Sequence, residues 1–179
     1  DSTAYGTIME SAYRVGHARS RQYMTSAHHR LWGPAFHGAG LPLNLPVAGL
    51  SEVMTTKIVM HSKLHETARS CIRGAFPKAC ENCWKCFRKA LVERRHRGAR
   101  VTNKEMVRWL QVREVQAKLS AHPISHENVL AWALQGDNIE PGVKDELLAR
   151  TEGHIRDMAP FERWLGGASA ALHEPYREH

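Results

Sequence analysis

The sequence lacks the long apolar runs and the nucleotide-binding fingerprints that would assign it directly to a well-known class. No stretch approaches the ~20 consecutive apolar residues that a membrane-spanning helix needs, so we expect no membrane partner. Neither G-x-G-x-x-G nor G-x4-G-K-[ST] occurs, which excludes a dinucleotide fingerprint and a Walker P-loop. No apolar targeting stretch follows Asp1, and we therefore expect a cytoplasmic protein.

Cysteine is also scarce: the chain has four, and all lie within a stretch of sixteen residues. Three have C-x2-C-x2-C spacing, and the fourth lies eight intervening residues upstream. Such a short loop can bring four sulfurs to the corners of a tetrahedron around one ion. Zinc fits best because it demands no geometry beyond the tetrahedron, and a site closed by four thiolates is structural. The predicted ligands are Cys71, Cys80, Cys83 and Cys86.

Two other interpretations of the cysteines stay open. Two disulfides are typical of small secreted chains, but a chain of 179 residues does not need covalent staples. The C-x2-C-x2-C run also occurs in iron–sulfur proteins, where the fourth ligand often comes from farther away in the chain and a proline follows it. Here Phe87 and Arg88 follow Cys86 instead. A brown colour of the protein would identify a cluster.

Positive charge exceeds negative charge in this chain. Lys and Arg number 25 against 18 Asp and Glu, which gives a net charge of +7 and a pI near 9.5. This excess favours an anionic partner, such as nucleotide phosphates, nucleic acid or an acidic protein. The candidate basic face consists of Arg88, Arg94, Arg95, Arg97 and Arg100.

The first half of the chain predicts both loop and helix. Glycine and proline forbid a helix over residues 32–50, whereas the alternation of apolar residues over 41–47 predicts a short strand. Ser51 provides a hydroxyl at an N-cap, and an acidic residue follows it in the first turn of a predicted helix. We expect Ile58 and Val59 to lie in the core.

The second half predicts helices alone. Thr102 and Glu105 have the spacing of a capping box, and the apolar residues after them predict one helix that ends near His122-Pro123. A second helix is predicted to begin near Ser125 and to bury Val129, Leu130, Trp132, Ala133 and Leu134. Two further helices are predicted after Pro141-Gly142 and at residues 160–165.

The residues around the cysteines resemble a known family. Leu50-Ser51-Glu52 opens a helix, Ser70-Cys71 opens the cysteine loop, and the C-x8-C-x2-C-x2-C pattern ends in x-Arg at Arg88. Over residues 41–95 this order is similar to the C-terminal third of 7-cyano-7-deazaguanine synthases. Those enzymes are members of the PP-loop ATPase superfamily, which is adenine nucleotide alpha-hydrolase-like. In that family Leu-Ser-Lys commonly opens the helix, and Glu52 stands in place of the lysine.

The resemblance implies an α/β fold. A Rossmann-like PP-loop ATPase core, incomplete in this chain, would occupy residues 1–100 with the zinc loop at 71–86. A helical C-terminal extension would follow at 101–179. The resemblance also implies ATP and Mg²⁺ as cofactors and a small-molecule carboxylate as substrate. Of the family's phosphate-binding signature, Ser-Gly-Gly-x-Asp-Ser, only a tail is present, so Asp1 and Ser2 are the implied cofactor-binding residues and we expect missing residues before them.

Two function classes follow. The first is an ATP-dependent synthase with a structural zinc, which adenylylates a carboxylate and converts it through an amide to a nitrile. The second is a non-catalytic, zinc-stabilised helical module that binds nucleic acid or a protein partner. The resemblance favours the enzyme, and a homodimer is compatible with either class. ATP consumption that depends on a carboxylate would support the first class, and salt-dependent polynucleotide binding without ATP turnover would support the second.

Overall fold

The computed structural model describes residues 27–42, 47, 49–63, 65–68, 71, 73–164, 166, 167 and 174. The chain divides into two compact units, one formed by Ser51–Arg163 and the other by Asp1–Leu50 with Trp164–His179. Helix α1 (Ala27–Gly38) belongs to the second of these units. The expectation that glycine and proline forbid a helix is wrong for residues 32–38, because α1 continues through Pro34. All the elements described below belong to the Ser51–Arg163 unit.

The Ser51–Arg163 unit is built from short helices. In its described residues the α-helices are α2 (Glu52–His61), α3 (Trp84–Arg97), α4 (Asn103–Leu110), α5 (Arg113–Ser120), α6 (Glu127–Leu134) and α7 (Val143–Arg150), and a 3-10 helix spans Ala159–Glu162. None of the helices in the described part of the chain combines the length and the apolar character that crossing a membrane requires.

The predicted α/β, Rossmann-like core is wrong for the described residues. They contain no β-strand, and the one β-type pairing found among them is an isolated parallel bridge between Val101 and Ile139. A Rossmann-like sheet needs several parallel strands covered by helices on both faces, whereas here the helices pack directly on one another. Residues 43–46, at the centre of the predicted strand, lie outside the described residues.

Helix α3 lies at the centre of the unit, where it packs against α2, α5 and α6. Its apolar residues Phe87, Leu91 and Val92 are buried. Every residue of α6 from Val129 to Leu134 is also buried, as the sequence predicts, because a helix that is apolar on all sides must be covered on all sides. These two helices carry most of the large side chains of the core.

Helix α2 has the predicted N-cap residue, but the face that it buries is not the predicted one. The Oγ atom of Ser51 accepts a hydrogen bond from the backbone N–H of Met54 at 3.1 Å, which is an N-cap contact. Its buried residues are Val53 and Thr56. The expectation that Ile58 and Val59 lie in the core is wrong, because they are 50% and 41% exposed.

The predicted long helix after Thr102 is two helices in the structure. The capping box is confirmed, since Thr102 Oγ1 accepts from the N–H of Glu105 at 3.3 Å and the Glu105 carboxylate accepts from the N–H of Thr102 at 3.0 Å. However, Val112 has an extended backbone, with ψ of 119°, and separates α4 from α5. The break starts a new helical turn at Arg113, and Glu114 lies in that first turn.

Candidate metal centre

The four predicted ligands lie together in the structure. Their Sγ atoms are all within 4.8 Å of one another, and the pair Cys80 and Cys86 is separated by 3.7 Å. A tetrahedron of sulfurs with metal–sulfur bonds of ~2.3 Å has edges of roughly 3.8 Å, so this set of donors fits a single metal ion. All four cysteines are free thiols, and the two-disulfide interpretation is not what the structure shows.

The start of α3 positions two of the four sulfurs. Cys83 is the N-cap of α3, with φ of −150° and ψ of 162°, and its Sγ atom accepts from the backbone N–H of Cys86 at 3.4 Å. The unpaired N–H groups and the positive dipole end of a helix N-terminus stabilise negative charge on a capping side chain. The chain between Cys80 and Cys83 turns at Glu81, whose φ of 51° lies in the left-handed region.

A close backbone approach at Gly74 shapes the rest of the loop. A Cβ atom at this position would lie 2.3 Å from the carbonyl oxygen of Lys78 and 2.7 Å from the backbone nitrogen of Cys80. Only glycine allows the chain leaving Cys71 to pass so near the chain that enters Cys80. This approach places the first cysteine beside the other three.

The thiols of the cluster have different electrostatic environments. Hydrogen bonds from the backbone N–H groups of Cys80 and Arg73 lower the pKa of Cys71 to about 6. Burial, together with the side chains of the other three cysteines, raises the pKa of Cys86 above its ordinary value. The thiol of Cys86 therefore holds its proton more firmly than that of Cys71, and a divalent cation at the cluster would favour the thiolate form.

Helix α5 contributes a side chain that holds this loop. The Glu114 carboxylate forms an ion pair with Arg73 and accepts from the backbone N–H of Trp84 at 3.3 Å. The Arg73 side chain, and after it the Trp84 N–H, lower the pKa of Glu114. Trp84 itself is buried and packs against Phe87 with ring centroids 5.5 Å apart. No local sequence pattern indicates this role for Glu114, because its partners lie 41 and 30 residues away in the chain.

Four of the five arginines of the candidate basic face contact other side chains of the protein. The contacts are Arg88 with Glu52 (2.9 Å), Arg94 with Glu105 (2.7 Å), Arg100 with Glu140 (2.6 Å) and Arg95 over the ring of Trp132 (4.0 Å). Arg97 is exposed. A bound nucleic acid would therefore compete with these four contacts for the arginine side chains. The implied cofactor-binding residues, Asp1 and Ser2, lie outside the described residues.

Comparison with known proteins gives one match. A family model described as "Family of unknown function (DUF6395)" matches residues 31–179, which include the whole cysteine loop and every helix of the Ser51–Arg163 unit. No curated protein and no solved structure matches the chain. The resemblance to deazaguanine synthases therefore stays a prediction.

Proposed function

Because the chain belongs to the DUF6395 family, whose function is unknown, we propose a function from its own geometry: it is a non-catalytic, zinc-stabilised helical module that binds an anionic partner. One observation carries this proposal. Four sulfurs lie within 4.8 Å of one another at the N-terminus of the helix on which the core is built.

The donor set favours zinc in a structural role. Four thiolates complete a tetrahedral coordination sphere and leave no position open for water or substrate. All-sulfur tetrahedral sites are typical of zinc and of iron–sulfur centres, and zinc needs no inorganic sulfide to complete the site. An ion held in this way organises the loop and performs no chemistry of its own.

Few buried side chains stabilise the cysteine loop. Among its described residues between Cys71 and Cys83, none is buried. Two ion pairs join the loop to the helices, Arg73 with Glu114 and, at 4.0 Å between two exposed side chains, Glu81 with Arg108. Metal binding in such a loop supplies folding free energy directly, because the unfolded chain has no preformed site. The zinc ion would therefore hold the part of the loop between Cys71 and Cys83, where none of the described residues is buried.

The charge distribution supports an anionic partner. Residues 51–100 contain twelve Lys and Arg against four Glu and no Asp, a net charge of +8. Residues 101–163 contain eight basic against ten acidic residues, a net charge of −2. A positive field concentrated in the segment that contains the cysteines favours encounters with anions on that segment.

The enzyme interpretation has no support beyond the resemblance. Adenylylation of a carboxylate needs a site for the ATP phosphates, and the residues implied for it, Asp1 and Ser2, are not among those described. ATP and Mg²⁺ binding therefore stays a prediction. The module proposal, in contrast, depends on side chains whose positions are described.

The proposal is tested on the full chain with a ligand variant and a control from the same loop. Cys80→Ser should abolish stoichiometric zinc binding and unfold the loop, whereas Asn82→Ser should retain zinc, because the exposed Asn82 lies between ligands without contributing one. The zinc-loaded wild type should bind a single-stranded oligonucleotide or polyglutamate at low salt and release it as salt rises. A protein that holds no zinc, or that binds no anion at low salt, would contradict the proposal.

A further inference from the structure

Helices α2 and α3 border a cleft of about 380 Å³. Small-molecule sites usually have volumes of ~300–1,000 Å³, so this cleft has the size of a ligand site. His65 and Ala68, which follow α2 in the chain, also line it. A nucleic-acid duplex or a folded domain could not enter a space of this volume.

The cleft is lined by a stripe of cations from α3. Lys85, Lys89 and Arg97 all line it, and their spacing of four and eight residues places them on the same face of the helix. Glu93 belongs to the same stripe and is the single carboxylate among the lining residues. Like charges at positions i and i+4, such as Lys85 and Lys89, repel each other. An anion in the cleft would convert this repulsion into attraction.

Lys89 is the least solvent-exposed of these three cations. Only 18% of its side chain is exposed, and burial lowers its pKa. Its Nζ atom donates to Thr56 Oγ1 at 2.6 Å and lies 3.8 Å from Glu52 Oε1. Among the described side chains no carboxylate oxygen lies closer to it, although a buried ammonium needs a partner.

The carboxylate nearest to Lys89 already has another partner. Glu52 accepts from Arg88 through both oxygens, with distances of 3.0 Å to Nε and 2.9 Å to Nη2. This two-point contact is the strong geometry for a guanidinium and a carboxylate, so most of the charge of Glu52 is matched by Arg88. Lys89 therefore shares Glu52 with Arg88, and its remaining carboxylate neighbour is Glu93, one turn further along α3.

The cleft also has an apolar part. Val59 and Met60 line it beside the cations, and Val59 is 41% exposed despite its apolar side chain. An apolar group bound in the cleft would cover this surface. A ligand with a compact anionic group and an apolar body therefore matches the lining better than a bare ion or a polymer does.

We propose that this cleft binds a small organic phosphate, with Lys85 and Lys89, one helical turn apart, contacting the phosphate group and Val59 and Met60 contacting the apolar body. A phosphate monoester has a charge of about −1.5 to −2 at pH 7 and three acceptor oxygens, enough to accept from both ammonium groups. The inference rests on the proposed function, because it requires the zinc-organised start of α3 to fix the position of Lys85.

The test uses the zinc-loaded full chain and phenyl phosphate as the probe, with calorimetric titration as the measurement. Wild type should bind one equivalent, more tightly than it binds inorganic phosphate. Lys85→Met and Lys89→Met should each weaken binding by about tenfold or more, because each removes a charge-assisted contact. Lys104→Met is the matched control: it removes the same charge from an exposed position outside the cleft and should change binding by less than about twofold.

Several outcomes would overturn the inference. Equal affinity for inorganic and phenyl phosphate would rule out a contribution from the apolar residues. Absence of phenyl phosphate binding, or binding that the two cleft variants do not weaken, would rule out the site. Because Lys85 is exposed, its variant should fold, and its zinc content verifies that it does. A protein that keeps zinc and binds the oligonucleotide or polyglutamate, but not phenyl phosphate, would contradict this inference and leave the module proposal standing.

Discussion

The Sγ atom of Cys83 accepts a hydrogen bond from the backbone N–H of Cys86 at 3.4 Å, so one side chain both caps helix α3 and belongs to the sulfur cluster. The start of the central helix and the candidate metal site are therefore the same structural feature. A substitution that moves these sulfurs should therefore disturb the packing of α3. Removal of the metal should destabilise the first turn of the helix.

Gly74 provides a test of the loop geometry. Gly74→Ala should lower zinc affinity by at least about tenfold, because the added Cβ would lie 2.3 to 2.7 Å from the backbone of residues 78–80 and push Cys80 away from the cluster. Competition with a chelator measures this affinity. Gly38→Ala, where an added Cβ meets no atom within 4 Å, is the control and should leave zinc affinity unchanged. Equal affinities in the two variants would mean that the close approach is not required.

The pair formed by Glu52 and Arg88 should be a major contributor to stability. The Arg88 side chain is only 7% exposed, and Glu52→Gln leaves its charge without a carboxylate. Removing one partner of a buried pair costs about 3 kcal/mol, which chemical denaturation of the zinc-loaded protein would measure. Glu146→Gln changes an exposed carboxylate and should cost less than about 0.5 kcal/mol. A similar small loss for Glu52→Gln would show that Arg88 is hydrated after all.

The capping box at the start of α4 should contribute a smaller amount. Thr102→Ala removes the acceptor for the N–H of Glu105 and should lower the free energy of unfolding by about 1 kcal/mol. Ser120→Ala replaces an exposed hydroxyl at the end of α5 and should be nearly neutral. If thermal or chemical unfolding gives the same stability for both variants, the cap does not stabilise α4.

His96 should make stability depend on pH. Burial lowers its pKa below the ordinary value of 6.5, and a ring nitrogen lies 3.0 Å from the carbonyl oxygen of Val53. The unfolded chain therefore binds the proton more readily, so the contribution of His96 is complete above pH 6.5 and is lost as the pH falls through its lowered pKa. His96→Gln should reduce the loss of stability between about pH 7 and pH 5.5.

The control for this prediction is His126, whose pKa burial also lowers. A residual slope from His126 should persist in His96→Gln and should decrease in the double variant with His126→Gln. Titration of the histidine ring protons by NMR gives the two pKa values directly. A pKa for His96 at or above 6.5 would contradict the sign of the effect.

Features that depend on residues close together in the chain could be predicted from the sequence. The caps at Ser51 and Thr102 and the buried residues of α6 depend on local spacing, and the structure confirms them. The cysteine cluster was also predictable, because all four ligands lie within one short loop. Zinc as the occupant stays a prediction, since the cluster shows the donors and not the ion.

Features that depend on long-range packing could not be predicted. The Rossmann-like core was inferred from a resemblance around one loop, and such a loop says nothing about whether neighbouring segments pair as strands. The inward face of α2 was assigned to Ile58 and Val59 because both are apolar, although α3 covers the side that carries Val53 and Thr56. Glu52 acquires its role from Arg88, 36 residues away in the chain.

Native mass spectrometry of the freshly purified full chain, combined with its visible absorption spectrum, measures the occupant of the four-sulfur cluster most directly. We expect one zinc ion per chain, no absorbance in the visible region, and no bound metal in Cys80→Ser. A wild-type chain without metal, a chain with disulfides in place of thiols, or a brown protein that contains iron would contradict zinc as the ion that organises α3.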